Sequence, residues 1–271
     1  MSRIRETFAS LKRGGRGGFI PFITAGDPDI ATTELLLIEL AAAGADIIEL
    51  GVPFSDPVAD GEIIQRASER ALQNDVTLRD ALACAARAKQ RIDVPIVLFS
   101  YFNPLLKFGE QKLAKEAKQA GVDGVLVTDL IPEEAQSWTE TLVQFDLDPI
   151  FLVAPTTSDE RLARIAQQAS GFIYAVSRAG VTGARDEMSR DAEALVKRVR
   201  SVSALPVAVG FGISTAEQVR EVWRFADAAV IGSAIVREIE RLSGEADLVS
   251  RIGDFTRSLV VTRQIEQKSL R

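Results

Sequence analysis

Pro206-Val207-Ala208-Val209-Gly210-Phe211-Gly212-Ile213-Ser214-Thr215-Ala216-Glu217 reads as one unit of a repeating fold. An unbroken β-branched run gives way to a glycine-bearing turn, and Ser214 to Glu217 then open a helix in capping-box style. The run lacks the polar alternation of a sheet with one wet face, so both its faces are covered. Seven more such runs occur, at Phe19–Thr24, Ile47–Leu50, Pro95–Phe99, Gly124–Thr128, Pro149–Val153, Phe172–Val176 and Ala228–Ile231. They recur roughly every 25–30 residues, with amphipathic helical patterns between them. One pattern opens at Asp27-Pro28, turns Leu36, Leu40 and Ala43 inward and closes at Gly44; another opens at Ser158. Eight strand–helix units predict a (β/α)8 TIM barrel, a single domain over residues 1–271. Extra helices are expected before the first strand (Ser2–Lys12) and after the last unit (Ala246–Glu266). A doubly wound open sheet would carry a G-x-G-x-x-G turn after its first strand. Ala25-Gly26-Asp27-Pro28 is no such turn.

Composition narrows the chemistry. The 271 residues are 46% apolar and carry a formal charge of −6, which argues against a nucleic-acid footprint or an anionic membrane surface. The chain has no histidine, which excludes Ser-His-Asp and Cys-His triads and any metal site built on imidazole. The single cysteine, Cys84, cannot form an intrachain disulfide and suits a reducing compartment. Met1 to Arg16 is charged and amphipathic, without the apolar centre of a secretory leader. The stretch Leu35–Leu50 is broken by Glu39, Asp46 and Glu49, short of the roughly 18 clean apolar residues of a membrane span. A cytoplasmic protein is expected.

In such barrels the active site lies at the C-terminal ends of the strands and on the loops after them. Glu49 stands within Ile47-Ile48-Glu49-Leu50, so it faces either the barrel interior or the covering helices. No Lys or Arg lies within ten residues of it, and a desolvated carboxyl of this kind gains a raised pKa suited to proton transfer. A structural ion pair with another strand is the competing reading. Asp60, in the loop Gly51–Gly61, is either the cap of the next helix or a second carboxylate in the same cavity. Two glycine turns, Gly210–Ser214 and Gly232-Ser233-Ala234, lead into helices after the seventh and eighth strands, where this fold holds phosphate. Ser177–Arg185 reads as a long polar loop or as a lid over substrate. None of the eight lysines falls at the end of a strand, so a Schiff-base aldolase is not expected.

Six segments resemble the tryptophan synthase alpha subunit family in order and spacing. They are Phe19–Pro28, Ile48–Gly61, Tyr101–Pro104, Ser177–Gly183, Val209–Ser214 and Gly232–Ala234. The resemblance implies a TIM barrel that cleaves indole-3-glycerol phosphate to indole and glyceraldehyde 3-phosphate without metal or cofactor. It implies Glu49 as the general acid and base at indole C3, and Asp60 as the acceptor for the indole N–H. By the same resemblance Thr182 meets Asp60 on closure, and Phe22, Tyr174 and Phe211 wall the indole. Gly183, Gly212, Gly232 and Ser233 hold the phosphate, and Tyr101 joins the substrate-binding set. It further implies a pyridoxal-phosphate beta subunit as partner in an alpha2beta2 complex, contacted around Pro53–Asp56 and Asn103-Pro104. Phe102, and Asp129-Leu130-Ile131-Pro132, depart from the commoner family pattern. Three other readings stay open: a stand-alone indole-releasing lyase, a mainly regulatory partner of a beta subunit, and another phosphosugar enzyme such as an isomerase.

Overall fold

The computed structural model describes residues 2–176, 185–210 and 212–260. Its strands are β1 (Gly18–Thr24), β2 (Ile48–Gly51), β3 (Ile96–Ser100), β4 (Gly124–Val127), β5 (Asp148–Val153), β6 (Ile173–Val176), β7 (Val207–Gly210) and β8 (Ala228–Ile231). They close in chain order into an all-parallel barrel, β8 returning to pair with β1. All eight apolar runs are strands, with ends shifted by a residue or so.

Among the described residues the helices begin with α1 (Arg3–Arg13), α2 (Ile30–Ala42), α3 (Glu62–Gln73), α4 (Leu78–Lys89), α5 (Phe102–Phe108) and α6 (Glu110–Gln119). They continue with α7 (Gln136–Gln144), α8 (Asp159–Gln168), α9 (Arg185–Val202), α10 (Ala216–Val222), α11 (Ser233–Leu242) and α12 (Leu248–Val260). The connections after β2 and β3 each carry two helices. The expected terminal helices are α1 and α12; the tail expected to run on to Glu266 lies outside the described residues beyond 260.

Strand alternation sorts side chains into two cores. Outward residues such as Ile23, Leu50, Leu98 and Val209 pack under the helices. Inward residues Ile20, Val97, Leu126, Ile150 and Phe172 fill the barrel together with Ile4, Phe8 and Leu11 of α1. The amphipathic α1 therefore plugs the N-terminal mouth, each buried side chain contributing about 2 kcal/mol. Aspartates that precede strands finish this end: Asp46, Asp123 and Asp227 accept from N–H groups at the start of neighbouring strands, Phe19 at 2.8 Å, Ile96 at 3.0 Å and Val207 at 2.8 Å. The chemistry is left to the other mouth.

The expected opening of α2 needs correction. Its cap is Asp29, whose carboxylate accepts from the Thr32 N–H at 2.7 Å, not the Asp27-Pro28 pair. Asp27 is turned inward instead, where Arg70 binds it through two bonds of 2.8 and 3.0 Å. Asp29→Ala is expected to cost about 1 kcal/mol of stability, the usual worth of such a cap. Urea unfolding checks it; an unmoved midpoint would mean the cap contributes nothing.

Candidate active site

Above the α1 plug the C-terminal mouth opens into a cavity of about 760 Å³ among the described residues, ample for a small-molecule substrate. Its floor and walls come from strand ends: Phe22 on β1, Glu49 on β2, Phe99 on β3, Leu152 on β5, Tyr174 on β6 and Val230 on β8. Ala59 to Ile64 form one rim, and Gly212, Gly232 and Ser233 form another.

Glu49 faces inward because its neighbours Ile48 and Leu50 belong to the outer core. It pairs in register with Phe22 and is 1% exposed. No ion pair reaches it among the described residues, and its Oε1 has no hydrogen-bond partner. The described residues therefore hold no ion pair for this carboxyl. Burial pushes its pKa up to about 8.

Asp60 does not cap α3. The N-cap is Gly61, with no side-chain cap bond. The Asp60 backbone is pinned through its N–H to the Pro57 carbonyl (3.0 Å) and by Gln65 Nε2 to its own carbonyl (2.8 Å). Its side chain lines the cavity. Burial raises its pKa to about 6, with the neighbouring Tyr101 hydroxyl opposing the rise. Two carboxyls in one cavity are thus held apart in proton affinity, the arrangement that assigns an acid and a base.

Tyr101 stands behind the wall instead of in it. It is buried, its ring lies against Phe54 at 5.0 Å, and its hydroxyl accepts from the Ala59 N–H at 2.9 Å. Phe22 and Tyr174 do line the cavity, and each needs a glycine beside it. A Cβ on Gly51 would sit 2.6 Å from the Phe22 ring, and one on Gly210 would sit 2.1 Å from the Tyr174 hydroxyl. Gly210, read in the sequence as part of a phosphate turn, makes room for Tyr174. Burial, then Glu49 and Asp60, raise the Tyr174 pKa well above its ordinary value, so it stays a neutral phenol.

The two glycine turns prove unlike. Gly232 is the N-cap of α11, so Gly232 and Ser233 present a helix N-terminus to the cavity. The turn after β7 reaches its helix only at Thr215, where Gln218 Oε1 already accepts from the Ser214 N–H at 2.8 Å and the Thr215 N–H at 3.2 Å. Gly212, in a left-handed conformation (φ 70°), reaches the cavity from the loop before that cap. No Lys or Arg lines the cavity among the described residues. Thr182, Gly183, Phe211 and the stretch 177–184 lie outside the described residues.

Phe99, Thr128, Leu152 and Thr157 line the cavity without having been singled out in the sequence. Each lies at or just beyond the C-terminal end of its strand, which was a sufficient signal. Phe99 meets Phe22 edge-on at 5.1 Å, extending the aromatic wall.

A sequence model described as tryptophan synthase alpha chain matches residues 8–263. The chain belongs to the tryptophan synthase alpha chain family. The alpha chain of Citrifermentans bemidjiense is 51% identical over 259 residues, covering 96% of this chain and 97% of that one. The alpha chain of Geobacter sulfurreducens is 49% identical, with 96% and 98% covered. Among solved structures, tryptophan synthase subunit alpha from Legionella pneumophila superposes with a TM-score of 0.88 at 36% identity, covering 96% of this chain and 97% of that chain. A chain of tryptophan synthase from M. tuberculosis, in an aminoacrylate-bound form, gives a TM-score of 0.85 at 35% identity, with 96% and 100% covered. The alpha reaction of tryptophan synthase is the function of this family. The matched span takes in every described residue of the cavity, from Phe22 to Ser233.

Proposed function

We propose that Glu49 and Asp60 together carry the alpha reaction, retro-aldol cleavage of indole-3-glycerol phosphate to indole and glyceraldehyde 3-phosphate, with no cofactor. The supporting observation is the uncompensated Glu49 carboxyl in a cavity it shares with a more acidic Asp60. Neutral Glu49 gives its proton to indole C3, leaving positive charge on the ring nitrogen. Ionised Asp60 accepts the ring N–H and stabilises that charge. The Glu49 carboxylate then takes the proton of the side-chain hydroxyl next to C3. The carbon–carbon bond breaks, an aldehyde forms, and the electron pair returns to the indole. Glu49 ends protonated, as it began.

Phe22 and Tyr174, with Phe99 and Leu152, form the apolar walls suited to the indole. Gly212, Gly232 and Ser233 supply backbone N–H groups for the phosphate, and the α11 dipole favours the anion without a basic side chain. The same reading gives roles to Phe211, beside the indole, to Gly183, at the phosphate, and to Thr182, which meets Asp60. A beta subunit, in an alpha2beta2 assembly, is assigned to the connections after β2 and β3, around Pro53–Asp56 and Asn103-Pro104, where Ser55, Asp56 and Asn103 are exposed. No helix among the described residues is long and apolar enough to cross a membrane, and the reaction is assigned to the cytoplasm.

The pH dependence tests the roles. kcat/KM for cleavage is expected to be bell-shaped, with limbs near pH 6 and pH 8. Activity falls below the first as Asp60 protonates and above the second as Glu49 ionises. Asp60→Asn should remove the acid limb along with most of the activity. An acid limb that survives this change would belong to the substrate phosphate and contradict the assignment.

A further inference from the structure

We infer that Tyr101 is a positioning residue for the reaction: its hydroxyl, bound to the Ala59 N–H, and its ring, packed on Phe54, hold the loop that sets the Asp60 carboxylate at the cavity wall. The inference rests on the role proposed for Asp60.

The loop that carries Asp60 is bonded chiefly within itself and to Gln65 of α3. Ser55, Asp56, Val58 and Ala59 are exposed, and α3 begins at Gly61 without using the Asp60 carboxylate. Tyr101 grips this loop at two places. Its ring packs on Phe54 near the start, and its hydroxyl takes the Ala59 N–H near the end. Because that N–H can only donate, the phenol's own proton is free to turn to Asp60. Tyr101 is itself anchored: Ser100 Oγ donates to its carbonyl at 3.0 Å, and the next N–H, of Phe102, donates to Asp129 Oδ1 at 2.7 Å. A buried residue just past the end of β3 therefore fixes, through one phenol, the loop on which the Asp60 carboxylate sits. The other titratable groups sharing the cavity with Asp60 are Glu49 from β2, Glu62 from α3 and Tyr174 from β6, with no Lys or Arg among the described lining residues. Tyr101 is thus the neighbour whose hydroxyl opposes the rise in the Asp60 pKa.

Tyr101→Phe keeps the ring on Phe54 and removes the hydroxyl. The expected result is a fall in kcat of about tenfold with KM changed far less, the mark of a misplaced group. The acid limb of kcat/KM moves up by about one pH unit, because losing the donor makes Asp60 harder to ionise. Site-specific 3-fluorotyrosine at position 101, nearly the same size but a stronger donor, moves that limb the other way. A purely structural tyrosine would move neither limb. Asp60→Asn, run alongside, separates the two claims. If it abolishes cleavage while both Tyr101 replacements leave the acid limb in place, the Tyr101 role is overturned and the Asp60 role stands. If Asp60→Asn cleaves like the parent, the Asp60 role falls, and this inference with it.

Discussion

Glu49→Gln is expected to slow cleavage by about a thousandfold, the upper part of the range for a general acid and base, while making the protein more stable above pH 5. The same feature produces both effects. Glu49 is 1% exposed, and its Oε1 has no hydrogen-bond partner among the described residues. Burial lifts its pKa in the folded state from 4.5 to about 8. Between these values the unfolded chain releases a proton that the folded chain keeps, so stability falls as pH rises through the window. The penalty is near zero below pH 4.5 and levels off above pH 8, reaching about 3 kcal/mol at pH 7. Glutamine cannot ionise and escapes this penalty. Urea unfolding of both proteins at pH 4, 7 and 9 should show a gap that opens with pH in favour of the variant. Cleavage within tenfold of the parent, or a stability gap that ignores pH, would contradict the account.

Arg70→Met is expected to cost about 3 kcal/mol at pH 8, the scale for stripping a buried charge of its partner. Arg70 of α3 binds both oxygens of Asp27, which is 1% exposed, and also Glu240 of α11 at 2.8 Å. Arg66 holds Glu240 from the preceding turn of α3, at 2.7 and 2.8 Å, and with Arg70 brings its pKa down to about 2. The loop after β1, the helix after Asp60 and the helix behind Ser233 are thereby locked together. Burial already raises the Asp27 pKa despite Arg70. Without the arginine it rises further, and folding then requires Asp27 to take up a proton. The loss should therefore shrink as pH falls toward 4, where the unfolded chain also carries that proton. Chemical denaturation at pH 8 and pH 4.5 checks this; a loss below about 1 kcal/mol at pH 8 would show that the network is ornamental to stability.

How far the sequence could be read depended on whether the deciding contact was local. The strands were legible because both faces of each are covered, which leaves unbroken apolar runs such as Pro206–Val209. Local pattern left Glu49 two facings, and tertiary packing chose between them by drawing Ile48 and Leu50 outward. For Asp60 the competing helix cap vanished once Gly61 took that position. Asp27 was misread for the opposite reason: Asp-Pro is a good local helix start, but Arg70, 43 residues away, outbids the helix for the carboxylate. Family likeness puts Tyr101 in the substrate-binding set, but its bond to Ala59 spans 42 residues and leaves no mark in sequence spacing. Gly210 was legible as a special residue, and only the nearby Tyr174 hydroxyl reveals what makes it special.

The measurement closest to the central claim is a carbon-13 NMR titration of the side-chain carboxyls, with Glu49→Gln and Asp60→Asn spectra supplying the assignments. The account predicts a midpoint near 8 for Glu49 and near 6 for Asp60, so that between them one is neutral while the other is charged. A Glu49 midpoint near 4.5, or an Asp60 that protonates before Glu49 as pH falls, would contradict it.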